Sequence, residues 1–348
     1  MPAHVPAANP AASPQADLRA GLERLAPRLA PGATGVERIA RLSGGASQET
    51  WAFEVASPAG PSRWVLRRAP EGARLRSGLS CGLETEARLM VLARGAGVSV
   101  PRVACELTLE DGLGTGYVMS HVEGETLPRR ILREAAYAGA RAGLARACGA
   151  QLARIHAIDA ARLPPLRRAP ARVELQAYRA QHRAHDVPRP VFALALRWLE
   201  ARLPPDAAEL TLVHGDFRHG NLVIGPDGLR AVLDWELAHL GDPMEDLGWI
   251  CVNAWRFGHD ARPVGGFGTR EDLFAGYEGA GGRPVDADRV RFWEVLGTLK
   301  WGVICDGMGR AFTDGSERTV ERAAIGRRAS ETEIDLLELI APRRSAVT

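Results

Sequence analysis

The stretch Leu212–Glu236, LVHGDFRHGNLVIGPDGLRAVLDWE, limits the possible folds more than any other part of the chain. Two short apolar segments, Leu222–Ile224 and Leu229–Leu233, flank Gly225-Pro226-Asp227-Gly228. Glycine and proline between apolar runs signal a hairpin. A hairpin returns the chain to its starting point, so Asn221, just before the first strand, and Asp234, just after the second, are predicted to finish at the same end. An amide oxygen beside a carboxylate suits a hard, oxygen-seeking cation such as Mg²⁺. Asp216, on the loop leading into the hairpin, can face that pair without being a ligand, which is the position a catalytic base needs. A plain hairpin with solvated turn acids is the bland alternative.

Around this segment the chain reads as two differently built parts. Leu18, Leu22, Leu25 and Leu29 recur at helical spacing, closed by Pro31 and Gly32. Strand-like segments follow at Ile39–Leu42, Thr50–Val55 and Trp64–Arg67, then a helix over Leu83–Arg94, then strands at Arg102–Leu107 and Gly116–Met119. From Gly124 the texture is helical, with long patterns at Leu144–Ile158 and Phe192–Arg202; Pro164–Pro190 is assigned to no element. The expected fold class is α+β and two-lobed, with a small β-rich N-lobe and a larger, mostly helical C-lobe. The expected boundaries are a disordered Pro/Ala tail over 1–16, an N-lobe over 17–123 and a C-lobe over 124–348. A length of 348 residues agrees with two such bodies.

Composition excludes several function classes. The chain is 46% hydrophobic and 25% charged, which argues for a packed core. A net charge of +2 offers no electrostatic basis for a nucleic-acid or membrane partner. Of the 44 basic residues only Lys300 is lysine; the others are arginine. Five dispersed cysteines without a CxxC pair argue against a disulfide scaffold or a structural zinc and fit a reducing cytosol, hence a cytoplasmic location. No apolar run approaches the roughly 18 residues of a membrane span, and the first residues have no charged start or apolar core of a signal peptide. Monomer and homodimer are equally open.

HGDFRHGN, with Asp234 thirteen residues beyond Asn221, resembles the catalytic loop of the aminoglycoside phosphotransferase and choline kinase-like family, which has a protein-kinase-like fold. The resemblance covers roughly Ile39–Leu339. It implies that Asp216 orients and deprotonates an acceptor hydroxyl, while Asn221 and Asp234 hold Mg²⁺ on the phosphates of ATP; the residues do not choose between ATP and GTP. Ser43-Gly44-Gly45-Ala46-Ser47 resembles the family's nucleotide loop, although a plain β-turn has the same composition. In Trp64-Val-Leu-Arg67 an arginine stands where kinases carry their phosphate-pairing lysine. It stays charged and can fork onto phosphate, but it is bulkier and not equivalent. Periodicity leaves both Glu84 and Glu86 as its partner; the resemblance favours Glu86. Tyr117–Gly124 resembles the connector whose backbone meets the adenine edge, which places Met119 and His121 at the nucleotide.

Only seven residues separate Asp234 from Asp242, too few for a protein kinase's activation loop, so the expected partner is a small-molecule hydroxyl acceptor. The tryptophan-bearing helix Phe292–Trp301, with LSGGASQETW and VLRRAP, is most similar to the phosphotransferase modules found alone or fused to acyl-CoA dehydrogenases. That implies a hydroxyacyl-type metabolite. Trp255, Trp293 and Trp301 could line its pocket or be core. Two alternatives are an aminoglycoside or macrolide antibiotic kinase, for which Glu271, Asp272, Asp286, Asp288 and Glu294 could form an acidic wall, and a non-catalytic nucleotide-binding pseudokinase, suggested by Arg67 alone.

Overall fold

The computed structural model describes residues 14–42, 48–69, 79–207 and 209–341. The expected loop residues Ser43, Gly44, Gly45, Ala46 and Ser47 lie outside the described residues. The chain divides into two compact units. The first holds the described residues up to Ala69 together with Gly82–Arg88 and Pro101–His121; the second holds Leu79–Cys81, Leu89–Val100 and everything from Val122 onward.

The first unit opens with α1 (Pro14–Leu29), which begins inside the stretch expected to be a tail. Its Leu18, Leu22 and Leu25 are almost wholly buried against Val36, Phe53, Val55, Leu66 and Val118. Burying three leucines is worth roughly 1.5–3 kcal/mol each, more than the roughly 3 kcal/mol cost of a proline within a helix, so Pro27 in the last turn is tolerated. A five-stranded antiparallel sheet follows, in the order β1-β2-β3-β5-β4. Its strands are β1 (Gly35–Arg41), β2 (Glu49–Ala56), β3 (Ser62–Arg68), β4 (Val103–Glu106) and β5 (Gly116–Ser120). β2 to β5 overlap the expected segments closely, whereas β1 begins at Gly35, four residues before the expected Ile39. The helix α2 (Leu83–Gly95) starts in this unit and ends in the second.

The second unit is mostly helical. Its elements are α3 (Pro128–Arg133), α4 (Ala138–His156), α5 (Ala171–His185), α6 (Pro190–Ala201), α7 (Met244–Trp249), α8 (Arg270–Gly279), α9 (Ala287–Thr313), α10 (Val320–Arg327) and α11 (Ala329–Ile340). Two short ladders interrupt them: β6 (Thr211–Val213) with β9 (His239–Gly241), and β7 (Leu222–Gly225) with β8 (Gly228–Val232). The hairpin edge is closed by Glu125, whose backbone exchanges hydrogen bonds of 2.8 and 2.9 Å with Ile224. Helices α4 and α8 cross at glycine: a Cβ on Gly149 would lie 2.1 Å from the Leu273 carbonyl, and one on Gly276 2.1 Å from that of Arg146. That contact brings His156, the last residue of α4, beside Tyr277 of α8, with His156 Nδ1 and the Tyr277 hydroxyl 3.0 Å apart.

One expectation changes here. The unassigned stretch contains α5, whose buried face includes the carboxylate of Glu174 beside Leu175 and Tyr178. An acid on the inner face breaks the apolar stripe that would have revealed the helix. Asp242 stands at the start of α7, where its Oδ1 accepts from Met244 N at 3.0 Å, while Oδ2 takes Arg289 and, at 3.0 Å, the indole of Trp293. Among the described residues no helix is long and apolar enough to cross a membrane.

Candidate active site

The two ladders set up the site in the second unit. The chain leaves β6 at Val213, runs through the loop to Asn221, makes the β7–β8 hairpin, and returns past Asp234 to β9. Leu222 pairs with Val232, and Leu233 N donates to the Asn221 carbonyl at 2.7 Å. Asn221 and the Leu233–Asp234 peptide therefore finish side by side at one end of the hairpin. Asp234 has φ +62°, a left-handed conformation that few residues other than glycine, aspartate and asparagine adopt. Such strain is held where the surroundings over-determine it.

His214 ties the two arms together. Its Nε2 donates to the Leu233 carbonyl at 3.0 Å, and Nδ1 accepts from Asp216 N at 3.3 Å. Burial lowers its pKa below the ordinary histidine value against the pull of the Asp246, Asp216 and Asp234 carboxylates. Three acids acting on one imidazole place Asp216 and Asp234 in one neighbourhood. Asp246 anchors the base of the loop: its oxygens accept from His214 N at 2.8 Å, Gly215 N at 2.9 Å and His156 Nε2 at 3.0 Å. Burial alone would raise the pKa of Asp246, but the bond and charge of His156, with those of His214, hold it below the usual carboxylate range. Gly215, with φ +77°, has no room for a side chain, since a Cβ would sit 2.6 Å from the Leu237 carbonyl.

Three donors converge on the Asp216 carboxylate. Arg218 Nε and Trp249 Nε1 each donate to Oδ1 at 2.9 Å, and Asn221 Nδ2 donates to Oδ2 at 2.7 Å. A carboxylate offers about four acceptor directions, so three donors fix the plane of this one. Arg218 is itself stacked over Trp255, its guanidinium carbon 4.5 Å from the ring centroid, and Trp255 packs on Trp249 and Trp301. Trp293 is core, buried and bonded to Asp242. The amide nitrogen of Asn221 is committed to Asp216, so its oxygen is the atom that could face a cation. An amide oxygen and a carboxylate suit Mg²⁺, which takes few protein ligands and keeps waters or phosphate oxygens. Among the described residues no group of three or more His, Cys, Asp or Glu side chains could hold a metal ion, so any cation here relies on that small set.

In the first unit Arg67 and Glu86 are both buried and form an ion pair, with Arg67 Nε 3.1 Å from Glu86 Oε1. Glu84 is exposed. Burial separates two carboxylates that periodicity leaves equal. Met119 pairs with Val65 and Val103 on β5, and His121 N donates to the Arg63 carbonyl just beyond it. The residues that sequence reasoning passed over are His214, Arg218, Trp249 and Lys300. The first two lie inside the HGDFRHGN motif, and Lys300 is marked by being the one lysine. A cavity of about 650 Å³ is lined by His156, Thr211, Tyr277 and Arg283, not by Asp216, Asn221 or Asp234.

A loop braced by the buried Asp246, the Asp216 carboxylate held by three donors, and Asn221 beside the Leu233–Asp234 peptide at the hairpin end make up the candidate site. The chain belongs to the phosphotransferase enzyme family, whose model matches residues 38–283. It is 31% identical over 231 residues to the mouse acyl-CoA dehydrogenase family member 10, covering 63% of this chain and 21% of that protein. The chain thus spans about a fifth of that relative's length. In fold it is similar to a candidate aminoglycoside phosphotransferase from Ralstonia eutropha, with TM-score 0.71, 23% identity, and coverage of 93% of this chain and 98% of that one. It is also similar to a spectinomycin phosphotransferase in complex with ADP and spectinomycin, with TM-score 0.60, 13% identity, and coverage of 87% and 94%.

Proposed function

We propose that this chain is an ATP-dependent small-molecule O-phosphotransferase in which Asp216 is the base and Asn221 with Asp234 hold Mg²⁺. The observation that carries the reading is the hairpin end, where Asn221 and the Leu233–Asp234 peptide lie together and Asn221 also bonds Asp216. Asp216, clamped by Arg218, Trp249 and Asn221, would align the acceptor hydroxyl and take its proton as the new O–P bond forms to the γ-phosphorus and the bond from that phosphorus to the β,γ-bridging oxygen breaks, releasing ADP. The bound cation would neutralise charge on the nucleotide phosphates. Catalysis of phosphoryl transfer is mostly positioning and electrostatics, and the hydrogen bonds around Asp216 are suited to positioning. Arg67, held by Glu86, would meet the phosphates together with Ser43–Ser47, while Met119 and His121 would border the adenine. The arginine–glutamate pair speaks against the pseudokinase reading, because it supplies the ion pair that the usual lysine would make.

For the acceptor we favour a hydroxylated acyl-type metabolite, on the strength of the relative's tie to acyl-CoA chemistry. An antibiotic kinase for cationic drugs needs free acids, and three of the five candidates are committed. Glu294 is buried between Arg256 and Arg270, Asp272 pairs with Arg146, and Asp286 caps α9. Five free thiols support a cytosolic setting, and monomer or homodimer both agree with the family. The test is phosphate transfer from labelled MgATP to a fractionated small-molecule extract. Asp216→Asn is expected to lower turnover by about 100-fold or more with nucleotide binding retained. Wild-type turnover in that variant, or label transfer undiminished by Asp234→Ala, would remove these residues from the mechanism.

A further inference from the structure

We propose that Lys300 is a positioning residue for Asp216, acting through the Gly215 carbonyl and the Trp249 indole. The inference rests on the reading of Asp216 as the base. Lys300, on α9, is only 7% exposed, and its Nζ donates to the Gly215 carbonyl at 3.3 Å. The same ammonium lies 4.5 Å from the centroid of Trp249, whose Nε1 donates to Asp216 Oδ1 at 2.9 Å. Both routes end on the one carboxylate.

The peptide unit between Gly215 and Asp216 is held at both polar ends. Lys300 takes its oxygen and His214 Nδ1 takes its N–H, one bond away from the Asp216 Cα. The Gly215 N–H, one peptide earlier, is held by Asp246. The indole route depends on a close approach of α7 to α9. A Cβ on Gly248 would lie 2.7 Å from Trp293 Cβ and 2.8 Å from Glu294 N, so only glycine lets Trp249 come down over Lys300.

Taking an ammonium out of water costs several kcal/mol, so its presence here needs an account. Neutralising buried acids is one candidate, because Glu174 and Glu245 are near and, with Tyr178 and Asp216, outweigh burial to keep Lys300 above its ordinary pKa. Those acids have partners of their own, however: Arg167 on Glu174 and His239 on Glu245. The hydrogen bond of Lys300 goes instead to the catalytic loop. The other basic residues of this chain are all arginine. An ammonium is a compact point charge, whereas a planar guanidinium is broader.

The test uses the full chain with labelled MgATP and the extract described above, comparing Lys300→Met, Trp249→Phe, the double variant and Asp216→Asn. Lys300→Met is expected to lose about 30-fold in turnover and Trp249→Phe about 10-fold, since small displacements of a catalytic group carry penalties of this order. The KM for ATP should stay within about twofold. The double variant should be no worse than Lys300→Met by more than about twofold, because both act on one carboxylate. Wild-type turnover in folded Lys300→Met, a parallel rise in the KM for ATP, or multiplied losses in the double variant would overturn the proposal. Should Lys300→Met not fold, Trp249→Phe decides, and unchanged turnover there overturns it. Asp216→Asn separates the two readings: if it stays active the base assignment fails, whereas an inactive Asp216→Asn beside an active Lys300→Met sinks only the role of Lys300.

Discussion

At Asp246 a buried carboxylate meets three donors, and its depressed pKa makes a prediction about acid stability. Between the ordinary aspartate value, about 3.9, and the lower folded value, the unfolded chain binds the extra proton. Stability gained from Asp246 is therefore complete above about pH 4 and is lost as pH falls through the folded value. Asp246→Asn should cost on the order of 3 kcal/mol at neutral pH and flatten the acid limb below about pH 4. Urea midpoints across that range check it, and an unchanged acid limb would refute it. Residue-scale detail of this kind was only partly legible in the sequence. Asp216, Asn221 and Asp234 could be placed because a hairpin has one geometry. Periodicity could not tell Glu86 from Glu84, because which of two acids turns inward depends on where α2 packs; only the family resemblance favoured Glu86, the acid that pairs with Arg67. The hydrogen bonds of Trp249 and Arg218 to Asp216 required coordinates, since Trp249 lies 33 residues away in sequence.

At the scale of elements, the crossing of α4 and α8 fixes where His156 and Tyr277 meet. Gly149→Ala forces the two helices apart and should cost about 1–3 kcal/mol. Gly143→Ala, on the same helix with nothing within 4 Å of its Cβ, should instead stabilise by about 0.5–1 kcal/mol. Thermal melts of the two variants moving in the same direction would contradict this account. Strands β2 to β5 were legible as short apolar segments bounded by turn residues, while the start of β1 at Gly35 was not. Helix α5 was not, for a physical reason: its inner face is partly ionic, and Glu174 there is paired with Arg167, which precedes the helix. A stripe of hydrophobic residues is the signature of burial against apolar neighbours, so a helix buried against charges escapes it.

For the molecule as a whole, the division into a sheet-bearing unit and a helical unit followed from the change of texture near Gly124, and the contact boundary falls between His121 and Val122. What texture could not reveal is that Leu79–Cys81 and Leu89–Val100 belong with the second unit. The ladder geometry accounts for the first of these, since Cys81 N donates to the Glu236 carbonyl at 2.8 Å, and Val232 N donating to the Ser99 carbonyl at 2.8 Å accounts for part of the second. The burial of Lys300 has a practical corollary for the whole chain. Because every other basic side chain is a guanidinium, amine-directed acylating reagents find a single side-chain target, and it is sealed inside the second unit. Acylation of Lys300, read by peptide mass, should run at least about 100-fold slower in buffer than in urea, turning that one amine into a built-in clock for the opening of the helical unit.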